Sequence, residues 1–464
     1  MNPAALSVTL VQALALIAIT ASHGVAADSP RRPNIVFIAV DDLNHWVGYT
    51  GRNPRAKTPN IDWLSRLGMS FTNAHCAAPL CNPSRAALMS GMRPSTTGCY
   101  RNQDDWKKCV PEGMSLPATL KNAGYAVYGA GKIYHGNSFY PSEWDDYEPA
   151  RGPRSEKAVD PDGGSKGPTK LEGFQTPVTH DLDDADLPDW RIVDYCIEQL
   201  ERPHDKPLFL ACGLHKPHLP WVVPRKYYDM FPLEEIELPP HTEEDLADVP
   251  EAGRKFAVAN DDHQQIMATG RWKEAIRSYL ATIAYADANL GRLLDALQKS
   301  RYADNTIICL WGDHGWHLGE KHHWRKSTLW EEATRAPLIW VVPGVTQPGA
   351  ICHRPVDFMS IYPTLCELAK IAPPQHLEGM SIVPLLADAQ SQWSQPAVTT
   401  HGFMNHAVRS EGWRYIRYAD GSEELYDEHR DPYEWINRAA DEALQHRKTE
   451  LAPFLPKENR RAKR

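Results

Sequence analysis

Four short segments gather the residue types that hydrolytic chemistry draws on: Asp41-Asp42, Gly131-Lys132-Ile133-Tyr134-His135, Leu214-His215-Lys216-Pro217-His218 and Gly312-Asp313-His314-Gly315. Each follows directly on an apolar run. A single Asp-Asp pair is most often a polar turn or a helix cap. Four apolar runs that all end in ionisable residues are much harder to attribute to turns. Three carboxylates at one place repel each other unless a cation neutralises them, and hard oxygen donors favour Ca2+ or Mg2+. The lone His314 does not turn such a cluster into a zinc site. Arg85, Lys132 and Lys326 supply positive charge for an anion, Arg with a planar fork suited to a tetrahedral oxyanion. Metal, cations and histidines together describe a site for hydrolysing a sulfate or a phosphate ester.

Cys81 precedes a predicted helix, with Pro83 near its first turn and Ala86, Ala87, Leu88 and Met89 leading to Gly91. A group placed there faces free N–H groups and the positive end of the helix. On local pattern alone, a small buried cysteine accounts for Cys81 better than a nucleophile does. A thiolate enzyme pairing Cys81 with a histidine is a further reading, but such chemistry has no need of a metal cluster.

The elements that must position these residues are legible in the same runs. NIVFIAV (34–40), YAVYGA (125–130), PLFLACG (207–213), NTIICLW (305–311) and PLIWVV (337–342) read as strands covered on both faces. Residues 273–298 carry Ile276, Tyr279, Leu280, Ile283, Ala286, Leu290, Leu294 and Leu297 at the spacing of one buried helix face. Shorter helices are expected at 59–67, 115–123 and 360–368. Strands alternating with helices imply an α/β fold, a mostly parallel sheet sandwiched by helices with its ligands beyond the strands' carboxyl ends. Residues 151–186 and 241–265 read as long polar loops able to rim a cleft. After Gly379 the pattern changes to short strands (397–400, 413–418), so the expected organisation is a catalytic domain at 28–379 and a smaller α+β subdomain with a small antiparallel sheet at 380–464.

At 464 residues, 42% hydrophobic and 23% charged, the chain has an ordinary globular composition, and a net charge of -9 argues against a nucleic-acid surface. Residues 4–20 form an apolar run followed by small residues to Ala27, which reads as a signal peptide over residues 1–27 and implies export to the periplasm or the extracellular space. The run has no Lys or Arg before it, so an anchoring or unstructured N-terminus is the other reading. No later stretch approaches about 18 apolar residues, which gives no stable membrane insertion. Nine cysteines leave one over after pairing. Cys196, Cys212, Cys309 and Cys366 lie in apolar stretches and read as buried thiols, whereas the short polar loop between Cys99 and Cys109 makes these two the most plausible disulfide.

The run Cys81-Asn82-Pro83-Ser84-Arg85, continuing to Gly91, resembles the CxPSR signature of the type I sulfatases, in which a maturation enzyme oxidises the cysteine to formylglycine. The Asp-Asp pair, GKxxH, DHG, the later Lys and the ELYD…DPxExxN segment at 424–437 resemble the family in order and spacing over nearly all of the chain after residue 27. LHKPHLPW, DHGWHLGE and HWRKSTLWEEATRAPL are most similar to the iduronate-2-sulfatase-like branch, and this branch has a histidine at position 314 where many sulfatases have asparagine. The resemblance implies an alkaline-phosphatase-like fold and Ca2+ bound by Asp41, Asp42, Asp313, His314 and the formylglycine at 81. It implies sulfate binding and proton transfer by Arg85, Lys132, His135, His215 and Lys326. The implied reaction is attack of the hydrated formylglycine on sulfur, with Asp313 helping to remove its proton, His215 protonating the leaving sugar alcohol and His135 taking the second hydroxyl's proton. A formylglycine-generating enzyme and a sulfated saccharide are the implied partners. His218 is expected beside the site or shaping the Pro-rich turn, and His322 and His323 either at the pocket or in a solvated loop. A phosphodiesterase or phosphonate hydrolase of the same superfamily is the alternative, and a glycan-binding protein that has lost catalysis is the rival from another class.

Overall fold

A computed structural model describes residues 32–136, 138–149 and 182–462. The expected signal segment and most of the 151–186 loop lie outside them. Eight strands form the main sheet: β1 (Asn34–Val40), β2 (Met69–Phe71), β3 (Ala126–Gly131), β4 (Asp146–Pro149), β5 (Leu208–Leu214), β6 (Thr306–Gly312), β7 (Leu338–Val341) and β8 (Ala350–Cys352). Their order is β8-β2-β7-β6-β1-β5-β3-β4. β7 runs antiparallel to both its neighbours, and the remaining pairs are parallel. The five core runs expected as strands are all present, four of them displaced or trimmed by a residue or so.

β1 lies in the middle and is buried on both faces, as its unbroken apolar run requires. Val36, Ile38 and Val40 join one core, and Ile35, Phe37 and Ala39 the other, because successive side chains of a strand point to opposite faces. Helices cover each side. α1 (Pro59–Leu67), α2 (Cys81–Ser90) and α3 (Leu116–Asn122) come first in the chain, followed by α4 (Pro188–Glu201), α5 (Trp272–Lys299) and α6 (Ile361–Leu368). The first core takes α1, α4 and α5, including all eight apolar residues expected on the α5 face, and the second takes α2, α3 and α6.

Three expectations need correcting. Residues 241–265 are not one loop, since helices Glu251–Ala257 and Asp262–Thr269 occupy part of them. Their buried Ala257 and Ile266 are spaced too sparsely among polar residues to signal helices in the sequence. Cys81 does not precede α2 but is its first residue, because Leu80 takes the extended capping conformation. All nine cysteines are free and buried, Cys99 and Cys109 included, with the Cys99 thiol facing that of Cys109. Among the described residues no helix is long and apolar enough to cross a membrane.

The later strands β9 (Ala397–Thr400), β10 (His406–Arg409), β11 (Trp413–Arg417) and β12 (Glu423–Asp427) form an antiparallel sheet in sequence order. A buried charge network ties it to the segment after Trp330. Arg414 is fully buried and meets Glu434 at 2.6 Å, Glu428 at 3.3 Å and Glu331, while Arg409 meets Glu331 at 3.0 Å. Burial raises the Glu331 carboxyl, but Arg409, His75, Arg414 and Arg335 outweigh it and hold the group well below its usual range. Among the described residues, removing Arg414 would leave buried Glu434 without its arginine, Glu428 paired with Arg409 alone and Glu331 with Arg409 and Arg335. Arg414→Met is therefore expected to cost about 3–5 kcal/mol, read as a lower denaturant midpoint.

Two buried histidines set a second expectation. Burial lowers His45 and His406 to about 4. The unfolded chain takes up these protons near pH 6.5 and the folded chain only near 4, so the unfolded state binds more protons between those values. The contribution of these two groups to stability should fall as pH is lowered from 6.5 to 4, by up to about 1.4 kcal/mol per pH unit for each, and comparing the Tm series of the protein with that of a His45→Gln, His406→Gln variant across this window checks it.

Candidate active site

Parallel register delivers the site. Val40 pairs with Leu214 and Gly312, and Gly131 with Gly213, so the next residues of four adjacent strands arrive together: Lys132, His215, Asp41 and Asp313. Close approach at this edge depends on glycine. A Cβ on Gly213 would lie 2.3–2.6 Å from the Lys132 backbone, and Gly131 has φ +79° with the Gly213 carbonyl oxygen 2.1 Å from where its Cβ would be. Asp42 then turns with φ +60°, a strained value for a non-glycine residue. Its N–H donates to Asp313 Oδ1 at 2.9 Å and its carbonyl accepts from the Tyr279 hydroxyl at 2.8 Å, which holds the strain in place.

Asp41, Asp42, Asp313 and His314 are each 0% exposed, as is Arg85. Asp41 accepts from Arg85 Nη2 at 3.1 Å and from Lys132 Nζ. Asp313 accepts from Arg85 Nε at 3.0 Å. Asp42 Oδ1 accepts from Lys326 Nζ at 2.5 Å, whereas Asp42 Oδ2, although buried, has no hydrogen-bond partner among the described residues. Burial raises the Asp41 carboxyl, but Lys132, His218, Arg85 and Lys326 together drive it well below its usual range, and Asp42 is lowered to about 2 against the same burial penalty, mainly by Lys326. Asp313 is raised, by burial and by the neighbouring Asp41 and Asp42.

Cys81 Sγ lies at the centre of this cluster, 2.9 Å from Lys326 Nζ, 3.4 Å from His314 Nε2, 3.8 Å from Asp42 Oδ1 and 4.0 Å from Lys132 Nζ. Burial pushes the thiol far up despite Lys132 and Lys326, so an unmodified Cys81 is protonated at neutral pH and a poor nucleophile. Asn82 anchors the start of α2: its N–H donates to Asn102 Oδ1 at 3.0 Å, and its amide to the carbonyls of Arg101 at 2.9 Å and Asp104 at 2.7 Å. That loop is itself held from the far end of the chain. Arg460 N–H donates to the Ser95 carbonyl at 2.7 Å, and the Tyr100 hydroxyl to the Arg460 carbonyl at 2.8 Å.

The donor set fits a hard cation. His314 Nδ1 lies 2.9 Å from the Gly315 carbonyl, which places the proton on Nδ1 and leaves the Nε2 lone pair facing Asp42 Oδ1 at 3.3 Å and Asp313 Oδ2 at 3.6 Å. A lone pair aimed at carboxylates is repulsive without a cation between them, and the orphaned Asp42 Oδ2 is a further unused donor. Ligand atoms of Asp42, Cys81, Asp313 and His314 lie within 4.8 Å of one another, as do those of Asp41, Asp42, Cys81 and His218.

Around the cluster stand His135, half-buried and lowered to about 4, and His215, lowered to about 3, each by burial and then Lys132. His215 Nδ1 is 3.9 Å from Asp41 Oδ2. All ten residues expected at the site thus converge here or border it. His218 also faces the cluster, its Nε2 3.9 Å from Asp42 Oδ2. His323 is neither a solvated residue nor a pocket wall: it is buried between the carbonyls of Ala257 at 2.7 Å and Lys326 at 2.8 Å, and braces the backbone that carries Lys326. His322 turns to Thr242 O and stacks on His263.

Sequence reasoning missed Tyr279, Asn82 and Asp189. Asp189 is fully buried and its carboxylate accepts from the backbone N–H of His215 at 2.7 Å and of Lys216 at 2.9 Å. Its helix, α4, was also missed, although Pro188 at the first position and Ile192, Cys196 and Leu200 at helical spacing carried the signal.

A family model described as Sulfatase matches residues 33–371, and one described as N-sulphoglucosamine sulphohydrolase, C-terminal, matches residues 319–461. A protein named Sulfatase from Formosa agariphila is 40% identical over 451 residues, covering 92% of this chain and 87% of the relative. The mouse Iduronate 2-sulfatase is 31% identical over 385 residues, covering 74% and 69%. The phosphonate monoester hydrolase of Agrobacterium radiobacter superposes with TM-score 0.73 at 20% identity over 91% of this chain and 95% of that one, a likeness of fold.

Binding of a divalent cation to the cluster should stabilise the folded state by about 2.7 kcal/mol at one hundred times its dissociation constant. Titrating the metal-stripped protein with CaCl2 is expected to raise its Tm, and Asp42→Asn to reduce that rise.

Proposed function

The chain belongs to the sulfatase family and is a sulfuric ester hydrolase, and from that premise we propose that it removes sulfate from a sulfated carbohydrate after export, using a formylglycine made from Cys81 and a bound Ca2+. The observation that carries this reading is the position of Cys81: a protonated, unreactive thiol stands where two ammonium groups, an imidazole lone pair and a carboxylate converge. That setting suits an oxygen nucleophile beside a metal and wastes a thiol. Export rests on the apolar segment before residue 28, with residues 28–379 as the catalytic domain and 380–464 as the smaller one.

A formylglycine at 81 would supply, once hydrated, one hydroxyl to attack sulfur and a second whose deprotonation expels the sulfate. Asp41, Asp42, Asp313, His314 and the oxygen of residue 81 would hold Ca2+, which would supply charge neutralisation to the attacking oxygen. The rest is work for the chain's own side chains. Lys132, Lys326 and Arg85 stabilise the non-bridging oxygens as charge builds on them. Asp313 helps take the nucleophile's proton, and His135 takes the proton of the second hydroxyl. His215 protonates the departing sugar alcohol, aided by Lys326. His215 is neutral in the free site because it is buried beside Lys132, and an anionic sulfate placed between them would relieve that penalty.

A sulfated carbohydrate is supported by the likeness to Iduronate 2-sulfatase and by export, which suits a degrader of polymers outside the cell. Iduronate itself is not thereby implied. The phosphonate hydrolase shares the fold alone.

Hydrolysis of 4-nitrophenyl sulfate and of defined sulfated saccharides should exceed hydrolysis of a phosphate diester. Preference for the diester would overturn the reading. In protein co-produced with a maturation enzyme, the peptide spanning residue 81 should carry an aldehyde in place of the thiol. Cys81→Ser, which lacks the second hydroxyl, is expected to lose nearly all turnover.

A further inference from the structure

His215 owes its direction to its backbone, and one side chain holds that backbone. β5 ends at Leu214, and the next two N–H groups have left the sheet. The buried Asp189 carboxylate receives both, one on each oxygen, at 2.7 Å from His215 and 2.9 Å from Lys216. Asp189 is the second residue of α4, which packs against β3 and β5, so the carboxylate is fixed to the sheet it extends. The turn beyond it is pinned in turn. His218 N–H donates to the His215 carbonyl at 3.0 Å, Lys216 Nζ reaches the carbonyls of His218 and Pro220, and Trp221 Nε1 donates to the Pro217 carbonyl at 2.8 Å. Lys216 therefore points away from the anion pocket, while His215 and His218 point into it.

We propose that Asp189 is a positioning residue for proton transfer: by gripping the His215 and Lys216 backbone it aims the His215 imidazole at the leaving-group side of the anion pocket. This rests on the reading of His215 as general acid. Asparagine in its place has the same shape but offers an N–H group to one of the two backbone donors, so one grip becomes a repulsion.

A second carboxylate in the same chain provides the control. Asp287 is equally buried, is raised like Asp189 to about 6 by burial, and accepts from two successive backbone N–H groups, Asn60 at 3.1 Å and Ile61 at 2.8 Å. It caps α1 and touches none of the ten site residues.

Steady-state kinetics on 4-nitrophenyl sulfate and phenyl sulfate separate aim from stability, because the poorer phenolate leaving group needs a general acid more. Asp189→Asn should lower kcat on phenyl sulfate at least ~10-fold more than on 4-nitrophenyl sulfate, part of the range a general acid supplies, with KM little changed. His215→Ala should shift the ratio in the same sense, and adding Asp189→Asn to it should shift the ratio no further. Asp287→Asn should lower Tm and leave the ratio alone. If Asp189→Asn does not fold, Asp189→Glu, which keeps the charge but pushes the turn outward, reads the same ratio. An unchanged ratio in the Asp189 variant, or an equal shift from Asp287→Asn, overturns the proposal. If His215→Ala itself leaves the ratio unchanged, the general-acid reading fails and the proposal with it. If only His215→Ala shifts it, Asp189 alone is refuted.

Discussion

Buried negative charge has to be neutralised, and three fully buried carboxylates at one sheet edge impose that constraint on everything around them. Arg85 bridges Asp41 and Asp313, Lys132 answers Asp41, and Lys326 answers Asp42. Among the described residues these amines and the guanidinium still leave Asp42 Oδ2 without a hydrogen-bond partner, and the His314 lone pair meets only the Cys81 thiol at 3.4 Å. The same residues therefore do two jobs: they hold the Asp41 and Asp42 carboxyls below their usual range, and they leave a positive rim and a group of ligand atoms facing one spot. Cys81 occupies that spot.

The sheet makes this arrangement cheap to hold. Four parallel strands ending in register supply Lys132, His215, Asp41 and Asp313 from positions that are rigid because both faces of each strand are covered. Irregularity is confined to the few residues past the strand ends, such as the left-handed Asp42, where strain is tied down by Tyr279 and Asp313. Chemistry that needs sub-ångström placement thus rests on packing far from it, and the Asp189 grip extends the sheet by one more rung on the side of His215.

The sequence carried the strands and their ionisable ends plainly, because continuous runs such as NIVFIAV have no other easy home than a covered strand. The convergence of Asp41, Asp42, Lys132, His135, His215, Asp313 and His314 was legible for the same reason, whereas Cys81, Arg85 and Lys326 were expected there through the resemblance that CxPSR and the later Lys carry. What stayed hidden is what acts through the backbone. Asp189, Tyr279 and Asn82 hold main-chain groups, and neither type nor spacing distinguishes such residues from ordinary polar ones. The start of α2 was misplaced by one residue because Leu80 is not a residue type that signals a cap. The Arg414 network was illegible because Glu331 lies far in sequence from Arg414, Glu428 and Glu434, and only the folded chain reveals that they meet.

The brace at Arg460 has a consequence for how the protein is made. The loop that grips Asn82 leans on residues that a ribosome delivers long after Cys81 has emerged, and α2 is buried along its whole length once the fold closes. Translation thus sets a time order: the segment around Cys81 is first free, then packed, and last locked from its distant end. Under the proposed maturation, the enzyme that oxidises Cys81 would have its window before that lock is set.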